Sequence, residues 1–495
     1  MKTNYFQNIG IGLVLACLLA ACTKLDMQVS GVINPTDFPK TERDVEALVV
    51  SCYVPFRSNW YNGIFTVNND GYQVIGDMST DIGDCLWDNG MWNAAIYQNW
   101  NPETVLVTKF YDYLRDLNRF TMVLDLLERA DINADRKSQA IAEVKAARGF
   151  MGYLLYSWFG PVPVAHIDQL QDPLSTDVIP RPTDEDMVAH IERDLQEAAA
   201  VLPYSYDNSD YGRFTKGLVN TLILKLYMLE SRWDDAVSMG RELTDARYNY
   251  GLVNSSYADI FTYENQRNRE IIFAATCDRT NAQLWLAHVL PGSYPTDNPN
   301  IVKWNGYRVP WRFYETFDPT DQRLNVLVGS YHGTDGVQYS KSNPGNALTR
   351  GAIPVKYGED PGAIGEDSSI DWIVYRYADV LTLLAEAIVR SEGIVTDEAV
   401  QLLNQIRVRA GIDPYELSRY ATSGVQGFLD DILLERGHEF WFEGLRREDL
   451  IRHGKYRAYA LEKGSTTAQE WFTRMPLPQR VIIEGKGKIH QNSNY

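Results

Sequence analysis

The sequence predicts a mostly α protein whose helices stack in pairs around an irregular, loop-rich region. Three observations carry this prediction. Residues 138–159 place Ile141, Val144, Ala147, Met151, Leu154 and Trp158 at three- and four-residue spacing, and Gly160-Pro161 ends the run. Two further segment pairs, 217–230 with 233–246 and 371–391 with 396–410, alternate apolar and polar faces and are joined by only a few residues. Between them, residues 279–370 are rich in Gly, Pro, Asn and Tyr and hold no sustained period, as expected of a long region carrying function or a local fold of its own.

The chain opens with Lys2 and an apolar run of 13 residues, Ile9 to Ala21. That length suits a secretory signal and is too short to span a bilayer. Leu19-Ala20-Ala21-Cys22 resembles the bacterial lipobox, with Cys22 the acylated first residue of the mature chain. Cys17 competes, but cleavage there would leave Leu18 to Ala21 as an apolar tail. Cys22 is therefore preferred over the alternative of an ordinary cleaved signal with an incidental cysteine. The expected organisation is a signal over 1–21, an extended leader over 22–40, and a single domain over 41–495. Its helical pairs fall at about 104–270 and 371–460, and its loop-rich ligand region at about 56–100 and 279–370.

Along that domain, 41–55 and 104–130 read as helices, the second through Val107, Phe110, Leu114, Leu117, Leu124 and Leu127. After 138–159 comes a helix at 184–201 and then a Tyr-rich loop. The pair at 217–246, with Trp233 and Ala236 following the turn, resembles a tetratricopeptide unit, although no strict repeat is legible. Residues 270–276 form the one strand-like run nearby, and a long helix at 427–443 follows the second pair. Paired helices bury a continuous core and leave a curved outer face.

Composition excludes several functions. Loss of residues 1–21 removes one Lys and no acid, leaving 46 basic against 65 acidic residues, a net charge of −19 that disfavours nucleic acid. Cys52, Cys85 and Cys277 would remain in the mature body, an odd number that does not suit a disulfide framework; a Cys52–Cys85 bridge is left open. Phosphate-binding loops, nucleophile elbows, C-x-x-C pairs and zinc-protease spacings are absent, and His438-Glu439 lacks a second histidine one turn later. No catalytic residue, cofactor or metal site is therefore assigned. Asp77, Asp81, Asp84 and Asp88 offer oxygen ligands for calcium, but without EF-hand spacing a solvated acidic loop is the simpler account.

Five segments, in order, resemble the SusD/RagB family. They are AEVKAARGFMGYLLYSWFGPVPV (142–164), VYRYADVLTLLAEAIVR (374–390), LLNQIRVRAGI (402–412), ILLERGHEFWFEGLRREDLIRHGK (432–455) and the C-terminal MPLPQRVIIEGKGKIHQNSNY (475–495). The resemblance implies a SusD-like fold of four tetratricopeptide-like helix pairs facing an irregular ligand-binding region. It also implies a lipoprotein of the outer membrane facing the cell exterior. Such a protein captures oligosaccharides, or in one branch peptides, for a TonB-dependent, SusC-like transporter. Two departures stand out: the residues after Cys22 lack a dense acidic run, and Glu448 follows Arg446-Arg447 where a bulky apolar residue is usual, a change expected to affect packing only.

Sugar binding calls for flat apolar faces beside groups that satisfy hydroxyls. Seven of the twelve tryptophans fall in two non-helical segments: Trp60, Trp87, Trp92 and Trp100, then Trp285, Trp304 and Trp311. The segment 76–100 resembles the family's early loop, and Trp87, Asp88, Asn89 and Trp92, with Asp81 as polar partner, are the expected contacts there. Trp285, Trp304, Asn305, Tyr307, Arg308 and Trp311 are expected to form the opposite wall. The plainer account is that several of these rings fill cores under loops. Trp158, Trp233 and Trp441, inside patterned helices, are expected in the core, and Arg148, Arg376, Glu435, Arg436 and Glu443 in buried ion pairs. The alternatives are a surface glycoside hydrolase, a tetratricopeptide-type protein-binding scaffold, and peptide capture in place of glycan.

Overall fold

A computed structural model describes residues 38–495 except 60–62, 69, 88–89 and 173. Cys22, most of the leader, Trp60, Asp88 and Asn89 lie outside the described residues.

The chain begins with α1 (Glu42–Tyr53), α2 (Tyr72–Met78), β1 (Asp84–Cys85), α3 (Gly90–Ile96) and α4 (Val105–Tyr111). The first helical block is α5 (Leu114–Arg129), α6 (Ala134–Phe159), α7 (Asp184–Val201), α8 (Lys216–Leu229) and α9 (Trp233–Leu243). The middle region holds β2 (Ile271–Ala275), α10 (Trp285–Val289), β3 (Tyr307–Pro310), α11 (Trp311–Tyr314) and four short strands: β4 (Leu327–Val328), β5 (Tyr331–His332), β6 (Gln338–Tyr339) and β7 (Gly351–Pro354). After β8 (Trp372–Arg376) come α12 (Tyr377–Glu392), α13 (Asp397–Arg409), α14 (Tyr420–Phe440), α15 (Arg446–Arg452) and α16 (Tyr456–Glu462).

Local chemistry sets the helix ends. Asn133 caps α6 by accepting from the Asp135 and Arg136 amides at 3.0 and 3.1 Å, so the helix starts at Ala134, four residues before the expected start at 138. Gly160, at φ +70°, then turns the chain out of it. Thr215 caps α8 through the Leu218 amide, and Thr396 caps α13 through the Ala399 amide. Gly393, at φ +68°, takes the left-handed position that closes α12.

Consecutive long helices pack on one another from α5 to α9; α9 then packs on α12, and α12 on both α13 and α14. The fold is mostly α with tetratricopeptide-like pairs. The helix expected over 371–391 begins only at Tyr377, because residues 372–376 pair antiparallel with β2. All five are buried, and a short apolar run bounded on both sides looks alike as a buried strand or a buried helix turn. The middle region is not a bare loop: β1, β3, β7 and β4 form a four-stranded sheet in that order, and β5 with β6 form a hairpin. Among the described residues no helix is long and apolar enough to cross a membrane.

Trp158 and Trp441 lie in the core, and Trp233 packs partly buried against it. The expected ion pairs form. Arg376 is fully buried and meets Glu270 and Glu443 at 2.7 Å each, as well as Glu439. Glu435 joins Arg323 and Arg407, Arg436 joins Asp379 and Asp449, and Arg148 joins Asp194. Removing one partner from such a network leaves a buried charge uncompensated, so it fixes how β8, α13 and α14 sit together.

Glu448 corrects an expectation. It does more than change packing: it accepts from the Tyr72 and Tyr153 hydroxyls at 2.8 Å and meets Lys225 at 2.9 Å. Cys52, Cys85 and Cys277 are all free, which closes the option of a Cys52–Cys85 bridge.

Candidate ligand-binding site

The two tryptophan-rich segments meet through backbone pairing. β1 runs antiparallel to β3, Asp84 opposite Arg308 and Cys85 opposite Tyr307, and the ladder continues through the Leu86 amide to the Gly306 carbonyl at 3.0 Å. The expected opposite walls are therefore adjacent strands of one sheet. Beyond the ladder, the Trp87 indole N–H donates to the Trp304 carbonyl at 3.1 Å. Gly306 permits this approach: a Cβ there would lie 2.6 Å from the Trp87 ring and 2.7 Å from the His288 carbonyl.

Trp87 and Trp304 are both half-buried. His288 backs the two indoles, its ring centre 5.5 Å from Trp87 and 4.9 Å from Trp304, and Tyr307 stacks behind His288 at 5.0 Å. Burial pushes the His288 imidazole down to about 4, so it is a neutral backing at physiological pH. Bonds from the Trp304, Asn305 and Gly306 amides to the carbonyls of Ala287, Leu290 and His288, at 2.7 to 2.9 Å, hold this loop on α10.

Asn305, at φ +57°, turns the chain there and donates its amide to the Asn346 carbonyl. Behind it, Arg308 donates to the carbonyls of Ala347, Val289 and Tyr307 and to the Asn305 side chain. Its partners are neutral oxygens, and burial lowers the guanidinium to about 9.

Several expected contacts are therefore structural. Arg308 and Tyr307 are fully buried and staple the loops from beneath. Trp285 is fully buried, donates to the Pro354 carbonyl and packs among Tyr307, Tyr357, Trp372 and Phe442. Trp92, 3% exposed, packs against Trp87 and Tyr307. A side chain without free surface cannot touch a ligand. These four are corrected from contacts to supports: the three rings bury most area where strands and loops converge, and Arg308 satisfies the carbonyls buried there. Asp81 is half-buried and held by Arg446 at 2.7 and 2.8 Å. It ties the chain after α2 to α15 and is not a free polar partner. Asp77 accepts from the Gly444 and Arg446 amides, and Asp84 from the Cys85 amide and Arg350, so these carboxylates are committed to protein donors. Trp311 is half-buried at the far end of β3, donates to the Leu348 carbonyl at 2.9 Å and stacks edge-on with Tyr314.

Sequence reasoning missed a tyrosine ladder beside Trp304. Tyr331 and Tyr339 stack across the β5–β6 hairpin at 4.9 Å, and Tyr294 adds a third ring at 5.1 Å from Tyr331. The adjoining Lys303 donates to the Tyr294 carbonyl at 2.6 Å. The Tyr-rich composition of the region and the Asp335-Gly336 pair in the turn between the strands were the signals that could have found it.

The class the fold defines is an α-helical protein of paired helices whose middle region carries a small sheet flanked by half-buried aromatic rings, and these rings make up the candidate site. Two family models match this chain in succession, one described as starch-binding associating with outer membrane over residues 34–228 and one as SusD family over residues 269–495. The chain belongs to the SusD/RagB family. It is similar to the SusD-like protein P25 of Formosa agariphila, at 23% identity over 96% of each chain, and to a SusD-like protein of Bacteroides ovatus, at 24% identity over 70% of this chain and 65% of that one. Among solved structures, surface glycan-binding protein A of Bacteroides thetaiotaomicron in complex with laminarihexaose superposes with a TM-score of 0.73 at 23% identity, covering 92% of this chain and 99% of that one. A laminarin binding SusD-like protein superposes with a TM-score of 0.75 at 20% identity, covering 92% and 100%.

Proposed function

We propose that this protein captures oligosaccharides outside the cell and passes them to a TonB-dependent, SusC-like transporter without making or breaking a bond in them. The observation that carries the reading is the Trp87–Trp304 pair, two half-buried tryptophans joined by the bond from the Trp87 indole to the Trp304 carbonyl and both backed by His288 just beyond the β1–β3 ladder. Such a surface offers indole area to the C–H side of a sugar ring, and the Asn305 amide keeps one N–H beyond its bond to the Asn346 carbonyl with which to donate to a hydroxyl. The names of the structural neighbours support the same chemistry: one is described in complex with laminarihexaose and one as laminarin binding. Cys22 is the residue to carry lipid, and that anchor would keep the protein on the outer membrane, facing the exterior, beside its transporter.

The test is a binding screen of the full-length chain in detergent against laminarihexaose, a panel of other oligosaccharides and a set of peptides, with each mixture analysed for product. Binding of a glycan without turnover, weakened about tenfold by Trp304→Ala (~1.5 kcal/mol for one aromatic contact), supports the proposal. Turnover would place the protein among the hydrolases. Binding of peptides alone would replace glycan by peptide.

A further inference from the structure

A cavity of about 360 Å³ lies among α3, α11, α14 and α16, apart from the Trp87–Trp304 surface. Asp84 lines it, so it opens at the opposite end of the β1–β3 pair, roughly 10 Å along the strand from Trp87. Its size falls in the range of small-ligand sites, and its walls mix apolar and polar groups as those sites do. Ile96, Phe313, Leu433 and Leu434 supply apolar wall.

The charges narrow the ligand. Four carboxylates (Asp81, Asp84, Asp430 and Glu462) and four cations (Arg312, Arg446, Lys455 and Lys463) line the cavity, so no net charge favours an ion of either sign. These groups are already engaged: Arg446 with Asp81, Arg312 with Glu462 at 2.8 Å, Lys455 with Asp430 at 2.6 Å, Asp84 with Arg350, and Lys463 with the carbonyls of Met78, Thr80 and Gly83. A purely apolar guest would strip water from them without replacing it. Two further lining residues, Tyr97 and Tyr459, are half-buried, and their hydroxyls make no hydrogen bond among the described residues. A compact, neutral guest with hydroxyls around an apolar ring satisfies all of these conditions.

We infer that this cavity is a second binding site, taking a single neutral sugar ring. The inference rests on the capture of glycans proposed above and adds a site independent of the tryptophan surface. Arg312–Glu462 and Lys455–Asp430 are exposed pairs at the cavity, of the kind that contributes little to stability, so opening them to admit a ring costs little.

The experiment is saturation-transfer NMR with calorimetry on the full-length chain in detergent, using D-glucose, D-galactose, D-mannose and N-acetyl-D-glucosamine, with D-glucuronate as the charged comparison. Laminarihexaose and the oligosaccharide panel are run in parallel. At least one neutral monosaccharide should bind saturably and more tightly than glucuronate. Leu434→Trp, which fills the cavity, should weaken it at least tenfold, and Trp304→Ala should leave it within twofold. Tyr459→Phe gives the same reading, at about threefold, should Leu434→Trp melt at lower temperature than the parent. Absence of monosaccharide binding overturns the inference, as does binding that follows Trp304 and ignores Leu434 and Tyr459. If oligosaccharides still bind through Trp304 in either case, the capture reading stands and the cavity alone fails; if no glycan binds at all, both fall.

Discussion

Lys225 sits in the middle of α8 among leucines, 4% exposed, where a cation has no water to solvate it. Glu448 of α15 supplies the counter-charge at 2.9 Å, and Asp379 of α12 lies 3.8 Å away. Burial works against ionising the Glu448 carboxyl, but Lys225 and the Tyr153 and Tyr72 hydroxyls outweigh it and hold the carboxyl below its usual range. Each of the two residues explains the other, since an apolar residue at 448 would leave Lys225 without its nearest carboxylate. Lys225→Met should therefore cost about 3 kcal/mol in denaturant unfolding, by stranding Glu448. The double variant with Glu448→Leu should recover part of that loss, because an apolar pair replaces a buried ion pair at little net cost while the Tyr153 hydroxyl loses its acceptor. A double variant as unstable as the single one would show that the pair does not act as a unit.

Two residues of β1 and four of β3 create the candidate site, since their pairing brings Trp87 to Trp304. The pairing tolerates no side chain at Gly306, where a Cβ would press on both the Trp87 ring and the His288 carbonyl. Gly306→Ala should displace Trp87 and lower glycan affinity about tenfold or more, with its larger effect on binding than on the melting temperature. Titration of the same oligosaccharide against parent and variant checks this. A helix far from the site behaves differently. Thr215→Ala, which removes the side-chain cap of α8, should lower stability by ~1 kcal/mol and leave affinity unchanged, as read by denaturant unfolding beside the same titration.

The whole molecule should be sensitive to acid in two stages. His190 and His288 are pushed down to about 4 by burial, whereas in the unfolded chain they protonate near pH 6.5. Between those values the unfolded chain binds protons that the folded chain refuses. Stability is thus whole above pH 6.5 and falls as pH drops toward 4, each histidine contributing a loss of up to ~1.4 kcal/mol per pH unit across that window. Glu386, Glu443 and Asp449 give the second stage. Burial opposes their ionisation, but Arg452, Arg376 and Arg436 respectively outweigh it and hold the three carboxyls below their usual range. Their contribution is present above the ordinary carboxylate pKa and is lost as pH falls through the depressed values. Guanidinium unfolding at pH 7.5, 6.0 and 4.5 should show a falling midpoint, and His288→Phe should flatten the upper part of that fall.

Periodicity and end signals made the helices legible: the stripe from Ile141 to Trp158 and the Gly160-Pro161 stop mark α6 without any tertiary information, and the ordered motifs identify the family. The same local signals placed Trp158 and Trp441 in the core and foresaw Arg376 and Glu443 in ion pairs. Which loop rings face water was not legible. Trp87, Trp92, Trp285 and Trp304 look alike in sequence because none lies in a repeating pattern, and strand pairing between residues more than two hundred positions apart decides which is covered. Arg308 shows the same limit, since only the convergence of the loops at Val289, Asn305 and Ala347 turns a candidate ligand contact into a buried staple. What the sequence by itself determined is the helical class and the family, because these depend on spacing and motif order along the chain. Only the tertiary structure decided the burial of each ring, the register of β1 on β3, the cavity beside α14 and the Lys225–Glu448 pair, because these depend on contacts between residues that the chain order keeps far apart.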